Sequence, residues 1–156
     1  MSKTYQDVSK EELEKVVQQL YLQLEELRTA IKALQDRSLL ISNEISEVRM
    51  AYETLTNIQQ LNQSDVMASL DRYGYVYVRV HLENTDRAVV RIGRDLYAVV
   101  PIDVAKNILM NFEKDLTDEL RKIEADLKQL TSIYTQLQNK LQEHLSALIK
   151  KEEAGG

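Results

Sequence analysis

Apolar residues recur through the first half of the chain in a heptad rhythm, in which steps of four and three alternate without a break. The members of this seam are Leu13, Val17, Leu20, Leu24, Leu27, Ile31, Leu34, Ser38, Ile41, Ile45, Val48, Tyr52 and Leu55. A register held over so many turns places these side chains along one stripe of a helix, which indicates a coiled coil. At ~1.5 Å per residue, a helix over residues 9–63 is roughly 80 Å long.

The start of this helix has a capping signature. Ser9 is followed three residues later by Glu12, the spacing of a capping box, and Val8 and Leu13 stand at the spacing of a hydrophobic staple. The sequence therefore predicts that the helix begins at Ser9.

A second seam occupies the last third of the chain. Its members are Leu109, Phe112, Leu116, Leu120, Ile123, Leu127, Leu130, Tyr134, Leu137, Leu141, Leu145 and Leu148. Two successive steps of four, at Phe112, Leu116 and Leu120, form a stutter that relaxes a supercoil locally. We expect Asp103, which follows Pro101, to be the N-cap of this helix.

Glycine and proline mark the boundaries between these segments. Gly74, Gly93 and Pro101 all fall in the middle, and neither residue type occurs in 9–63 or 102–154. Because the connector is short, the two helices are expected to pair antiparallel in one chain. The alternative is a parallel homodimeric rod.

The middle segment changes to a period of two, which is typical of strands. Residues 75–82, 87–92 and 96–100 alternate in this way, and 66–70 is a weaker strand candidate. The predicted fold class is therefore α+β, mainly α: a long antiparallel coiled-coil hairpin with two small β hairpins inserted between the helices. We treat residues 1–156 as a single domain, with helices over 9–63 and 102–153 and a β module over 64–101.

Two small hairpins alone are marginally stable, and their open edges need cover. Because the helices use their apolar stripes on each other, we expect the β module to be an oligomerisation device. The expected contact residues are Leu70, Val76, Val78, Val80, Leu82, Val90, Ile92 and Val99. The alternative is a self-contained mini-sheet packed on the helix roots.

The sequence offers little for catalysis. It has no cysteine, and its two histidines, His81 and His144, are far apart along the chain. Neither a phosphate-binding glycine loop nor a nucleophile elbow is present. We therefore expect no enzymatic activity, no cofactor and no metal site.

The net charge and the hydropathy of the chain limit the kinds of partner that it can have. The net charge of −5 disfavours nucleic acid, although arginines and tyrosines interleave in the middle segment. No apolar run is long enough to span a membrane, and no signal peptide is evident, so a cytoplasmic location is expected.

Apolar residues that do not belong to either seam gather near both termini. Val16, Tyr21 and Leu22 lie off the first seam, and Ala147 and Ile149 lie off the second. Exposed apolar patches are often binding surfaces. A third helix from a partner and ordinary packing at helix ends are the alternatives.

The order of coiled-coil arm, two β hairpins and coiled-coil arm resembles the prefoldin family of chaperones, and the alpha-type subunit in particular. The stretch over 80–93 resembles the family's short strand, acidic turn, Val-rich strand and Ile-Gly. Residues 96–100 and 103–109 resemble the strand and helix start that follow. The chain departs from the pattern in the first hairpin, where 66–70 has no proline and only Gly74 remains of a glycine-rich turn.

The resemblance implies an ATP-independent holdase. Two alpha-type subunits would join through their β hairpins, four beta-type subunits would dock on them, and a group II chaperonin would receive the non-native client protein. The residues that match the family's client-binding tips are Val8, Leu13, Val16, Val17, Leu20, Tyr21, Leu141, Leu145, Leu148 and Ile149. The alternative is a self-assembling or filament-forming structural coiled-coil paralogue of prefoldin.

Overall fold

A computed structural model of the chain describes residues 9–61 and 64–154. The elements follow in the order α1 (Lys10–Leu61), β1 (Asp65–Ser69), β2 (Tyr77–His81), β3 (Arg87–Arg91), β4 (Tyr97–Pro101) and α2 (Ile102–Ala154). Two long helices with two small antiparallel hairpins between them are the predicted fold class, which is thereby confirmed.

Helix α1 begins with the predicted capping box. The Ser9 amide donates to Glu12 Oε2 at 2.9 Å, and the Glu12 amide donates to Ser9 Oγ at 3.2 Å. Two N–H groups that the first turn leaves without helical partners are satisfied in this way. The predicted staple residue Val8 lies outside the described residues.

Both seams are located where the heptad pattern places them. Every predicted seam residue of α1 and of α2 is buried or half-buried. Most other residues of the two helices are exposed, as expected for helices that bury a single stripe. The heptad register therefore identified the buried face of each helix residue by residue.

The chain divides into two compact units, residues 1–40 with 120–156 and residues 41–119. In the first unit, Val17, Leu20, Leu24 and Leu141 form a buried cluster, which we call the terminal core. Packed against it are the half-buried residues Val16, Tyr134, Leu137, Leu145 and Leu148. Lys10 Nζ lies 2.9 Å from Glu152 Oε1, so low-numbered residues of α1 meet high-numbered residues of α2 and the helices run antiparallel.

The second unit contains the β module and the helix segments nearest to it. Its most buried residues include Ile41, Ile45, Ile102 and Ala105. The helices are antiparallel here too, because Arg49 pairs with Glu113 while Gln59 Nε2 donates to Asp103 Oδ1 at 3.0 Å.

The strands form two separate two-stranded sheets. In the first hairpin, β1 pairs with β2, with Val66 opposite Val80 and Ala68 opposite Val78. In the second hairpin, β3 pairs with β4, and Val89 lies opposite Val99.

Two local expectations differ from the structure. The second strand begins at Tyr77 rather than at residue 75, because the amides of Tyr75 and Val76 donate hydrogen bonds to the Asp71 carboxylate and belong to a turn. Helix α2 begins at Ile102, so Asp103 lies in its first turn, where its carboxylate accepts from Gln59 instead of capping the helix.

Candidate protein-binding surfaces

The β module exposes far more apolar surface than either helix. Of the 21 large hydrophobic side chains that are exposed among the described residues, 11 belong to residues 64–101. They are Met67, Leu70, Tyr73, Tyr75, Val76, Tyr77, Val89, Ile92, Leu96, Tyr97 and Val99. An apolar concentration of this kind on a small surface is typical of an interaction site.

Both hairpins also have open edges. In an antiparallel ladder, hydrogen-bonded and non-hydrogen-bonded pairs alternate, and the backbone groups of the second kind point outward. The Leu70 amide donates to the Val76 carbonyl and the Leu82 amide to the Ser64 carbonyl. By alternation, the outward groups of the first hairpin belong to Asp65, Met67 and Ser69 on β1 and to Tyr77, Arg79 and His81 on β2.

The edge of β4 is partly blocked. Pro101 has no N–H to offer, and Arg87 Nη2 donates to the outward carbonyl of Val99 at 3.0 Å. Proline and charged side chains on an edge strand discourage pairing with another strand. Of the four strand edges, the edge of β4 is therefore the least able to pair with a strand from another chain.

The inner faces of the hairpins are covered within the chain to differing extents. In the first hairpin, Val78 and Val80 are half-buried, as is Leu82 just beyond β2. In the second, Val90 is only 7% exposed, and it lines a groove together with Val48 and Leu109 of the helices. The expectation that the helices leave nothing to cover the sheets is met only in part.

The predicted oligomerisation residues therefore fall into two groups. Leu70, Val76, Ile92 and Val99 are exposed, whereas Val78, Val80 and Leu82 are half-buried and Val90 is buried. Sequence reasoning missed Val89, which is exposed opposite Val99 on the outer face of the second hairpin. The signal was present, because both valines occupy strand positions where a solvated face normally carries polar residues.

The turn of the first hairpin, residues 70–76, is held by one carboxylate. Asp71 Oδ1 accepts from the amides of Tyr73 at 2.8 Å and Tyr75 at 3.1 Å, and Oδ2 accepts from the amide of Val76 at 2.9 Å. These hydrogen bonds, of which the one from the Tyr75 amide has the largest effect, hold the pKa of Asp71 below its usual value because they stabilise the ionised form.

Glycine is required within this turn. Gly74 has a φ of 74°, a left-handed conformation that costs a residue with a Cβ about 1–2 kcal/mol. A Cβ at this position would also collide with the Tyr77 hydroxyl. Arg72, the neighbour of Asp71, fixes the turn to α1 through Glu47 Oε1, which lies 2.9 Å from Nη2 and 3.1 Å from Nε.

Two tyrosines project from this turn. Tyr73 and Tyr75 are 81% and 82% exposed, and their ring centroids are 5.9 Å apart. No other large hydrophobic side chain in the described part of the chain is as exposed. We call these two side chains the tyrosine pair.

The predicted client-binding residues lie in the first unit, and most of them face the other helix. Leu13, Val17, Leu20 and Leu141 are buried, and Val16, Leu145 and Leu148 are half-buried. Tyr21 and Ile149 are 50% and 56% exposed, while Val8 lies outside the described residues. Leu22, which the sequence placed off the seam, is 67% exposed.

The histidines have local partners. His81 Nδ1 lies 2.9 Å from Asp65 Oδ1 across the first hairpin, and His144 Nδ1 lies 2.7 Å from the Lys140 carbonyl. Within residues 9–61 and 64–154, no group of three or more His, Asp or Glu side chains is placed to hold a metal ion. Neither helix is apolar enough over a sufficient length to cross a membrane.

Comparison with known proteins gives a consistent family. The sequence model of the family described as "Prefoldin subunit" matches residues 29–147. The prefoldin subunit alpha of Metallosphaera sedula is 31% identical over 121 residues, which cover 78% of this chain and 83% of that protein. The prefoldin subunit alpha of Saccharolobus islandicus is 24% identical over 134 residues, which cover 86% and 90%.

Another relative and a solved structure are also similar. The prefoldin subunit alpha of Methanobrevibacter smithii is 27% identical over 100 residues, which cover 64% of this chain and 67% of that protein. The cryo-EM structure of filamentous PFD from Methanocaldococcus jannaschii has a TM-score of 0.41 at 21% identity, and the match covers 85% of this chain and 97% of that one.

Proposed function

Because this chain belongs to the prefoldin family, we propose that it is an alpha-type subunit of an ATP-independent chaperone that holds non-native proteins. As an alpha-type subunit, it assembles through its β module with a second copy of itself and with beta-type subunits. It passes its clients to a group II chaperonin.

One observation supports the assembly step above all others. The β module concentrates exposed apolar side chains on two hairpins with open edges. Isolated two-stranded hairpins are marginal in water, and open edges invite pairing with another chain. A second subunit that covers these faces and edges removes both weaknesses.

Client capture belongs to the first unit in this proposal. Tyr21, Leu22 and Ile149 offer apolar contact without any rearrangement, because they are already exposed. The buried members of the predicted set, Leu13, Val17, Leu20 and Leu141, become available only when the helix ends separate. Shallow apolar contacts of this kind suit clients that expose hydrophobic segments of varied shape.

The test is suppression of aggregation by the assembled complex. A chemically denatured enzyme is diluted into buffer that contains this chain and a beta-type prefoldin subunit, and aggregation is followed by light scattering. We expect Tyr21→Ser combined with Ile149→Ser to weaken suppression several-fold, since each change removes exposed apolar surface. The matched control is Leu39→Ser, which removes a side chain that is 63% exposed in the same unit.

Native mass spectrometry separates the possible failures. If the double variant assembles normally and suppresses aggregation as well as the wild type, the assignment of these client contacts is wrong. If the wild-type chain forms long homopolymers that ignore the beta-type subunit, the hetero-oligomeric chaperone is wrong and the filament-forming paralogue replaces it.

A further inference from the structure

We propose that the tyrosine pair of one copy inserts into an apolar groove in the second unit of another copy, and that the second copy returns the same contact. This inference rests on the proposed self-association through the β module and specifies which side chains make it.

The groove lies among the two helices and the second hairpin. Its apolar lining consists of Val48, Val90, Leu109, Phe112 and Leu116, all of which are buried or half-buried. Its volume is about 310 Å³, at the lower end of the range for pockets that take small ligands. That volume suits aromatic side chains better than a folded segment.

Charged side chains complete the lining of the groove. Glu44 and Asp115 belong to it and are exposed, and Arg91 and Glu119 belong to it as well. A lining that combines apolar side chains with carboxylate acceptors is the chemical complement of tyrosine, which has an apolar ring and a hydroxyl donor at its far end.

The tyrosine pair has the properties of an interface anchor. Tyrosine is enriched among residues that dominate binding energy, because it buries a large area at a small loss of conformational freedom. Here the backbone beneath the rings is already fixed by the carboxylate of Asp71, by Gly74 and by the contact of Arg72 with Glu47. A turn that is ordered before binding loses little entropy when it binds.

The positions of the tyrosine pair and of the groove favour a second copy as the partner. The turn is attached to α1 at Glu47, and the groove includes Glu44 and Val48 of the same helix, within one turn of that residue. The tyrosine pair does not fill this groove in its own chain, since both rings are more than four-fifths exposed. A two-fold axis that passes beside Glu47 brings each tyrosine pair to the groove of the other copy, as an isologous interface requires.

Photocrosslinking tests this contact directly. The photoreactive analogue p-benzoylphenylalanine replaces Tyr75 and keeps an aromatic ring there. The labelled chain is mixed with a ¹⁵N-labelled wild-type copy, irradiated and digested. We expect crosslinked peptides that contain residues 44–48 or 109–119 of the ¹⁵N-labelled copy. The same analogue at Tyr97, which is exposed on the second hairpin, is the control and should not yield those peptides.

A second measurement uses the affinity of self-association. Tyr73→Ser with Tyr75→Ser should raise the dimer dissociation constant at least about tenfold, because hot-spot aromatics carry much of the binding energy. Circular dichroism should show unchanged helicity, since neither ring is packed in the chain. Leu39→Ser, a change at an exposed side chain of the first unit, should leave the dissociation constant unaltered.

The outcomes distinguish this contact from the function on which it rests. Dimers that crosslink from position 75 only to residues of the β module that do not line the groove, such as those of the first hairpin, would overturn the groove and leave assembly through the β module intact. When a beta-type prefoldin subunit is added to the same mixture, crosslinks from position 75 that form only with that subunit would overturn the second copy as the partner. A wild-type chain that stays monomeric at all concentrations would overturn both the contact and the proposed self-association.

Discussion

The terminal core buries its apolar side chains, whereas the β module leaves most of its apolar side chains exposed. In the terminal core the two helices bury one another, and only 7–8% of the surface of each core residue is exposed, at Val17, Leu20, Leu24 and Leu141. In the β module, Val90 alone reaches that level of burial. The difference shows that apolar side chains stabilise the chain internally in the first region, whereas in the second region most of them stay exposed and are available to a partner.

The largest effect expected from this contrast is on folding. Leu20→Ala in the terminal core should lower the free energy of unfolding by about 2–5 kcal/mol, because it removes a buried side chain and leaves a cavity. Chemical denaturation followed by circular dichroism measures this loss. The adjacent residue Tyr21 is half-exposed, and Tyr21→Ala should cost far less. Equal losses at the two positions would show that the terminal core is not the packed element described here.

The β module should respond in the opposite manner. Val99→Lys places a charge on its exposed outer face, so helicity should be unchanged. Loss of one buried valine contact corresponds to about 1.5–3 kcal/mol, or about tenfold to hundredfold weaker association. Analytical ultracentrifugation measures the dissociation constant. If Val99→Lys lowers the free energy of unfolding but leaves the dissociation constant unchanged, the contrast between the terminal core and the β module is wrong.

The heptad seams show how much of the fold the sequence contains. A heptad pattern that repeats over many turns does not depend on any single residue, and both seams are confirmed. The Ser9–Glu12 capping box, a local signal, is confirmed as well. The two hairpins are confirmed too, since period-two alternation and turn residues are local signals.

The surface details were harder to predict, because they depend on contacts between segments. The alternation over 75–82 predicts a strand that begins at residue 75, whereas the Asp71 carboxylate accepts hydrogen bonds from the Tyr75 and Val76 amides and holds both residues in the turn. Alternation also placed Val90 on the same face as Ile92, but the groove residues of the helices cover Val90 and leave Ile92 half-exposed. The position of Asp103 after Pro101 predicts an N-cap, but its carboxylate binds Gln59, which is 44 residues away in the chain and so lies beyond any local sequence signal.

A smaller effect should follow from replacing the glycine of the first turn. Gly74→Ala forces a Cβ into a left-handed conformation and toward the Tyr77 hydroxyl, which should weaken the turn by at least about 1–2 kcal/mol. Hydrogen exchange at the amides of Tyr73, Tyr75 and Val76 should accelerate about fivefold to thirtyfold, as local opening of that energy requires. Exchange in the terminal core should not change, and a global acceleration would contradict a local role.

The smallest effect expected is a pH dependence confined to the same turn. The pKa of Asp71 is depressed by hydrogen bonds to its ionised form, so its stabilising contribution is complete above the ordinary pKa of 3.8 and is lost as pH falls through the lower folded value. An NMR titration should show the Tyr75 and Val76 amides shifting below pH 3.8, with no such step in Asp71→Asn. A midpoint above 3.8 would contradict the hydrogen-bonded carboxylate.

The antiparallel pairing of α1 with α2 fixes the order in which contacts can close. Gln59 and Asp103 are separated by 44 residues, and Arg49 and Glu113 by 64, whereas Lys10 and Glu152 lie near opposite ends of the chain. Closure entropy rises with the length of the loop, so pairing is least costly beside the hairpins. During synthesis α1 emerges from the ribosome before α2, and its seam leucines remain without their helical partner until α2 has been made. A protein proposed to hold non-native chains therefore exposes apolar side chains itself before it folds.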